Sequence, residues 1–383
     1  VRFASQTLIG LFAALAMTCA QAAPLPLATI DRSTWPEKID SPVLFDVASR
    51  AEVLSFAHAL RASEELDEAQ LSQRLDLRTV NMDSIDTLRA QLWARLWRSF
   101  DQAQQSCEQD ASFCFAIDDQ AALREQAADY VVEADSFYAG WSLPGARFHE
   151  QYLDELLHAA ALFPQISSEV LRLWDGERNG DELNDRMFAL TFEGGPAQSS
   201  TDWLADYLRR QKMQATFFVL GTQLAARGAR PGSDLRSLYR DQCVGIQGWE
   251  YRSHSHWPQW QDSIVRSMAL VQAELPDNYV PLFRPPYGQR RADAEGFFEA
   301  QHLQVSLWDI DSLDATGRLT AEQSAQRVLS LMLLWRRGVV VFHDTQERAR
   351  VALPWLLAQT AQSGIGWETC RTPVNEESGG ANE

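Results

Sequence analysis

The second half of the chain is punctuated by five short apolar runs, at residues 188–192, 215–220, 280–283, 304–310 and 338–342, with helical windows at 200–212, near 261–275 and at 320–336 between them. Strand and helix in alternation imply parallel β/α units, either an open sheet or a sheet closed into a barrel. The first run, Phe188-Ala189-Leu190-Thr191-Phe192, has the β-branched and aromatic content of a strand, and Gly194-Gly195-Pro196 cannot continue it. A carboxylate, Glu193, is thereby left at the strand's C-terminal end, where chemistry collects in parallel α/β folds.

Ahead of this, residues 41 to 164 read as helical. Leu88, Leu92, Leu96 and Phe100 fall at steps of four, and Tyr130, Val131, Ala134 and Tyr138, then Tyr152, Leu156 and Ala160, continue the style. Four or five packed helices follow from this. Trp93, Trp97, Tyr130, Tyr138 and Trp141 read as their core, with a sugar-binding groove as the alternative; nothing in this half assigns a chemistry. The polar stretch 175–182, rich in turn residues, separates the halves. The expected organisation is a signal segment at 1–22, an all-α domain at 23–165, a polar linker at 166–184, an α/β domain at 185–372 and a tail at 373–383.

Composition limits the partners. With 52 acidic against 34 basic residues and a formal charge of -18, the chain is poorly suited to nucleic acid or an anionic membrane surface. Arg2, the apolar stretch from Leu8 to Met17 and then Ala20-Gln21-Ala22 fit a secretory signal, too short to span a bilayer, which implies export to the periplasm or the extracellular space. Cys19 offers lipidation as an alternative. Beyond it stand four cysteines without CxxC spacing; in an oxidising compartment Cys107 is expected to pair with Cys114 and Cys243 with Cys370, free buried thiols being the other reading. Nothing in the sequence sets an oligomeric state.

The ends of the elements carry more information than the elements. Glu193 follows the first; Ser253-His254-Ser255-His256 follow Tyr251-Arg252; Arg284-Pro285-Pro286-Tyr287-Gly288 follow Phe283; Asp309, Asp311 and Asp314 follow Trp308; His343-Asp344 follow Phe342. Each alone has a structural explanation, such as a capping Asp or a core histidine. Five in succession point to one site assembled from several strand ends on one face.

The series TFEGGP, ATFFVLG, SHSHWP, FRPPYG, DIDSLD and VVVFHD, in this order, resembles the polysaccharide deacetylase family, the NodB-homology or carbohydrate esterase family four domain. The resemblance covers residues 185–372 and rests most on FRPPYG and ATFF-x-x-G. It implies a distorted, incomplete (β/α) barrel that hydrolyses an acetamide, or sometimes an ester, on an acetylated glycan. Matched position by position, it makes Glu193 the general base, Arg284 the group that orients it, Asp311 and Asp314 the acids that hold that arginine, Tyr287 a backbone N–H donor to the oxyanion, and His343 the general acid.

The same matching exposes departures. The family's first motif reads T-F-D-D-G-P, so Gly194 stands where a metal-ligating Asp is expected. In His-Ser/Thr-x-x-His, His254 and Ser255 match but Pro258 replaces the second histidine, and Ala315 stands where an aromatic is usual. A zinc-type ion needs three protein ligands and a water. Three readings stay open: a divalent metal site rebuilt from His254, His256 and the longer Glu193; hydrolysis by acid–base chemistry without metal, on an ester, a cyclic imide or an amide of a non-glycan substrate; and a pocket that binds acetylated glycan without turning it over.

Overall fold

The computed structural model describes residues 25–162 and 172–371. The signal and tail readings therefore fall outside the described residues. Five helices come first: α1 (Pro42–Ser63), α2 (Glu68–Arg74), α3 (Met82–Ala103), α4 (Gln120–Ala128) and α5 (Ala139–Leu162). Ser41 caps α1 by accepting from Leu44 N, with Pro42 in the first turn, and Asn81 caps α3 in the same way. The Leu88, Leu92, Leu96, Phe100 stripe is buried along α3. Trp93, Trp141 and Tyr130 are buried, and Tyr138 and Trp97 pack against the same cluster, so these aromatics are core.

Nine parallel strands follow: β1 (Glu177–Arg178), β2 (Met187–Glu193), β3 (Thr216–Val219), β4 (Cys243–Ile246), β5 (Tyr279–Phe283), β6 (Gln304–Ser306), β7 (Ile310–Asp311), β8 (Gly338–His343) and β9 (Gly366–Trp367). Between and around them lie α6 (Ser200–Gln211), α7 (Gly221–Gly228), α8 (Leu235–Leu238), α9 (Trp260–Glu274), α10 (Glu295–Ala300), α11 (Ala321–Trp335) and α12 (Glu347–Thr360). The order is β1-β6-β5-β4-β3-β2-β8-β7, with β9 also on β2. This is an α/β fold, a curled and incomplete barrel behind a helical N-terminal region.

The curl is closed without a backbone ladder. Asp309 Oδ2 accepts from Gly180 N at 2.6 Å and from Val339 N at 2.8 Å, stitching the β1 side to β8. A Cβ on Gly180 would lie 2.2 Å from the Gly338 Cα, so only glycine permits the approach. Here the structure departs from the expected linker over 166–184. Glu177 is buried against Arg290, and Gly180 sits in the seam. The polarity of 177–181 marks paired groups inside the barrel wall as well as a turn. The strand β4 also escapes a reading by apolar runs: it is four residues long and includes Gly245, whose Cβ would collide with the Phe218 ring and Leu282 O.

One hydrophobic cluster runs through the helices and the barrel, and α1 packs on α11 as well as on α3, α4 and α5. Charged contacts reinforce this face. Asp46 on α1, 2% exposed, takes Arg186 at 2.6 Å and Arg336 at 2.8 Å; Arg327 pairs with Glu155 at 2.7 Å; Arg95 reaches Asp309 at 3.2 Å. Disulfides join Cys107 to Cys114 and Cys243 to Cys370, each with Cα atoms 5.9 Å apart. Among the described residues no helix is long and apolar enough to cross a membrane.

Breaking the Asp46 contact removes the buried carboxylate shared by Arg186 and Arg336, while Arg336 keeps its paired contact with Asp185. Asp46→Ala is expected to cost about 1–3 kcal/mol, measured by denaturant unfolding, in a single transition for helices and barrel together. A separate early transition confined to the helices would contradict a shared core.

Candidate active site

The site forms at the C-terminal ends of β2, β5 and β8. Glu193 ends β2, and its register opposite His343 on β8 brings the two side chains face to face. Glu193 Oε1 lies 3.3 Å from His343 Nε2, and Glu193 Oε2 lies 3.6 Å from Arg284 Nη1. Behind the imidazole, Asp314 Oδ1 accepts from His343 Nδ1 at 2.8 Å while its other oxygen accepts the His343 backbone N–H at 3.1 Å. The result is a row of alternating charge: Asp314, His343, Glu193, Arg284.

Burial and pairing compete along this row. Glu193 is only 4% exposed, which by itself raises its pKa; the His343 and Arg284 charges reverse that and hold the carboxyl below its ordinary value. Burial alone would lower His343, but hydrogen bonds to Asp314 and Glu193 raise it well above the usual imidazole value. Arg284 has no solvent contact and is lowered to about 10 by burial, against the Glu193 and Asp311 charges; it remains charged at neutral pH. Its N–H groups go to Thr191 Oγ1 at 2.7 Å, Ser306 O at 3.3 Å and Leu307 O at 3.2 Å, and its plane stacks over Phe218.

The expected roles of the acids are corrected by this geometry. Asp314 holds His343, and the hydrogen bonds of the Arg284 guanidinium go to Thr191, Ser306 and Leu307, not to Asp311 or Asp314. Asp311 instead caps its own turn, accepting Leu313 N at 2.7 Å, and withdrawal from solvent raises its pKa. Tyr287 is in the left-handed region (φ 61°), and its ring meets Tyr251 edge-on at 4.7 Å. Both rings are open to solvent, at 53% and 40%, and the Tyr251 hydroxyl lies beside the Tyr287 backbone amide and feels the Glu193 charge. Ala315 is exposed on the turn after Asp314, so the aromatic surface at this mouth is the tyrosine pair.

The rebuilt metal site does not form. His254 is 1% exposed, its Nε2 3.0 Å from Ser263 Oγ and its ring packed on Trp257 and Phe283; burial lowers it to about 4. His256 is exposed and faces a separate groove with Trp257, Pro258, Trp260 and Arg291. The reason is topological: β4 ends at Ile246, so the SHSH segment belongs to the loop before α9, not to a strand end. Gly194 offers no side-chain donor, and no three His, Cys, Asp or Glu side chains gather to hold an ion among the described residues. The donor set does not fit the metal that the family resemblance implies.

The residue that does follow β4 is Gln247, fully buried, with its Oε1 accepting Gly194 N at 3.0 Å. Reading by apolar runs missed it together with its strand. Thr191, whose hydroxyl receives Arg284 and donates to Val340 O at 2.7 Å, was likewise hidden inside a strand. A cavity of about 550 Å³ lies on the other side of this layer, lined by Thr191, Phe218, Ser306, Leu282 and Val339, and contains none of Glu193, His343 or Tyr287.

With this geometry in hand, the comparisons are decisive for the domain. Residues 180–305 match the family model described as polysaccharide deacetylase. The chain carries a polysaccharide deacetylase domain. A peptidoglycan-N-acetylglucosamine deacetylase of Listeria monocytogenes is 28% identical over 188 residues, covering 48% of this chain and 38% of that protein. A peptidoglycan-N-acetylmuramic acid deacetylase of Bacillus subtilis is 29% identical over 175 residues, covering 44% of this chain and 35% of that protein. The chain thus spans little more than a third of the length of these relatives. Among solved structures, the Bc1960 peptidoglycan N-acetylglucosamine deacetylase aligns with a TM-score of 0.45 and 21% identity, over 50% of this chain and 89% of that one.

His343 and His254 are expected to titrate in opposite ways. Because its folded value is raised, His343 keeps its proton as pH rises past about 6.5, and the stability it adds is complete below that pH and lost as pH climbs through the raised value. His254 stays neutral throughout the same range. Histidine ring resonances followed by NMR from pH 5 to 8 check this: a His254 midpoint near 6.5 would contradict its buried contact with Ser263.

Proposed function

We propose that the protein is exported and that its domain removes acetyl groups from an N- or O-acetylated cell-wall or extracellular glycan, by acid–base chemistry run from the Glu193–His343 pair. The observation that carries this reading is the pair itself: a buried, ionised carboxylate in contact with a protonated imidazole that a second carboxylate holds in place. A deprotonated base and a protonated acid coexist there at neutral pH, as hydrolysis requires. The family match and the deacetylase relatives support the acetyl group as the target, and two disulfides support an oxidising compartment.

The steps follow from the atoms available. Glu193 takes a proton from water as its oxygen adds to the acetyl carbon. His343 then gives its proton to the departing sugar oxygen or nitrogen as the acyl bond breaks, leaving acetate and the free sugar group. The proton on Glu193 returns to His343 across their direct contact, and the pair is reset. Without a Lewis acid worth several kcal/mol, an O-acetyl ester, with its better leaving group, is the easier substrate than an acetamide.

A second reading, recognition without turnover, is favoured by Gly194 and by His254 turning away to Ser263. Acetate release from O-acetylated xylan oligomers and N-acetylated chitooligosaccharides decides between them. Turnover should show a flat kcat/KM through neutrality, with an acid limb set by the lowered Glu193, below the ordinary carboxylate range, and an alkaline limb set by the raised His343, well above the ordinary imidazole range. Glu193→Gln should lower kcat on the order of 10²-fold or more, and Asp314→Asn should pull the alkaline limb down. Saturable glycan binding with no acetate from either substrate would overturn the hydrolase reading in favour of a receptor.

A further inference from the structure

Strands β4 and β5 are neighbours, so the loops that follow them leave the barrel side by side. Tyr251 on the first and Tyr287 on the second meet at the mouth, with ring centroids 4.7 Å apart. Further along the same two loops, Trp257 and Arg291 line one groove of about 510 Å³, together with His256, Trp260, Gln261 and Asp293. Arg252 bridges the interval, its guanidinium 4.8 Å from the centre of the Trp257 ring. The four-residue step from Tyr287 to Arg291 reaches at most about 14 Å, so groove and mouth lie within the length of a short oligosaccharide.

The lining matches a neutral sugar. Trp257 and Trp260 bring apolar indole surface, which suits the C–H face of a ring. Gln261, exposed, can donate and accept hydrogen bonds, and the exposed His256 adds its ring nitrogens, as sugar hydroxyls require. The fixed charges are already answered: Arg291 donates to Asp293 through two nitrogens, at 2.8 and 2.7 Å. With the arginine and the carboxylate paired to each other, the described lining holds no spare fixed charge for a phosphate, an ammonium group or an acidic peptide.

We propose that this groove is a second sugar subsite, holding a ring of the acetylated glycan further along the chain from the one at the Tyr251–Tyr287 mouth. The inference rests on the glycan reading of the mouth and adds to it: the ligand is an oligosaccharide or polymer, and a single acetylated sugar engages only part of the protein. Because one molecule fills both places, binding at the second is intramolecular, and longer chains gain affinity. The lining includes none of Glu193, His343 and Arg284, so loss of the groove leaves the affinity for short chains where it was.

The experiment is calorimetric titration of the full chain with a disaccharide and a hexasaccharide of N-acetylated chitin and of O-acetylated xylan. The wild type is expected to hold a hexasaccharide on the order of 10²-fold more tightly than its disaccharide. Arg291→Ala combined with Asp293→Ala removes the exposed ion pair without changing the net charge, and Trp257→Ala removes an indole. Loss of most of the length preference in either variant, with disaccharide affinity kept within about twofold, supports the subsite; if Trp257→Ala does not fold, the double variant decides. Equal affinity for both lengths in the wild type, or a preference that survives in every folded variant, overturns it. Acetate release without length preference would overturn the subsite alone, whereas no binding of any of the four glycans would overturn the glycan reading with it.

Discussion

A guanidinium with no contact to water must have its donors answered by protein, and Arg284 is answered from three directions. It crosses from the end of β5 to the Thr191 hydroxyl on β2 and to two carbonyls at and just beyond the end of β6, with the Phe218 ring below its plane. Barrel interiors are normally filled by layers of apolar side chains. Here one layer is a cation, and the buried Glu193 is tolerable only because that cation is beside it. Deleting Arg284 would remove the counter-charge of Glu193 and the donor to the Thr191 hydroxyl in one step.

The same layer explains why the residues gathered here do not suit a metal. Asp314, His343, Glu193 and Arg284 already sum to zero, sign alternating with sign. A divalent cation placed against this row would face an imidazolium and a guanidinium, and would have to displace one of them from Glu193. A site built around an ion keeps its carboxylates free for the ion; this one has spent Glu193 on internal pairing. What is left is a self-neutral row of charges, with the two solvent-facing tyrosines at its mouth.

Much of this was legible in the residues. Alternating apolar runs gave the parallel α/β class, and Glu193, Arg284 and His343 could be matched from TFEGGP, FRPPYG and VVVFHD because short motifs of fixed backbone shape bring their side chains along. What escaped had physical causes. β4 is too short and too glycine-bearing to show as an apolar run, so SHSH was placed at a strand end it does not occupy, and His254 with it. β1 and the Gly180 seam looked like a linker because buried ion pairs and exposed turns use the same residues. Asp314's partner depends on a side-chain direction that spacing does not encode.

Gly194 has a longer consequence. Its φ of +91° lies where residues with a Cβ are strained, although a Cβ there would meet only Thr345 at an ordinary 3.6 Å. Room for a side chain exists; the backbone discourages it. Meanwhile its N–H is shared between Gln247 Oε1 at 3.0 Å and Phe218 O at 3.3 Å. A single mutation that returned a carboxylate to position 194 would have to rebend the turn and unseat that bond before any ion could be held. A metal site here would thus need the turn rebuilt together with the side chain.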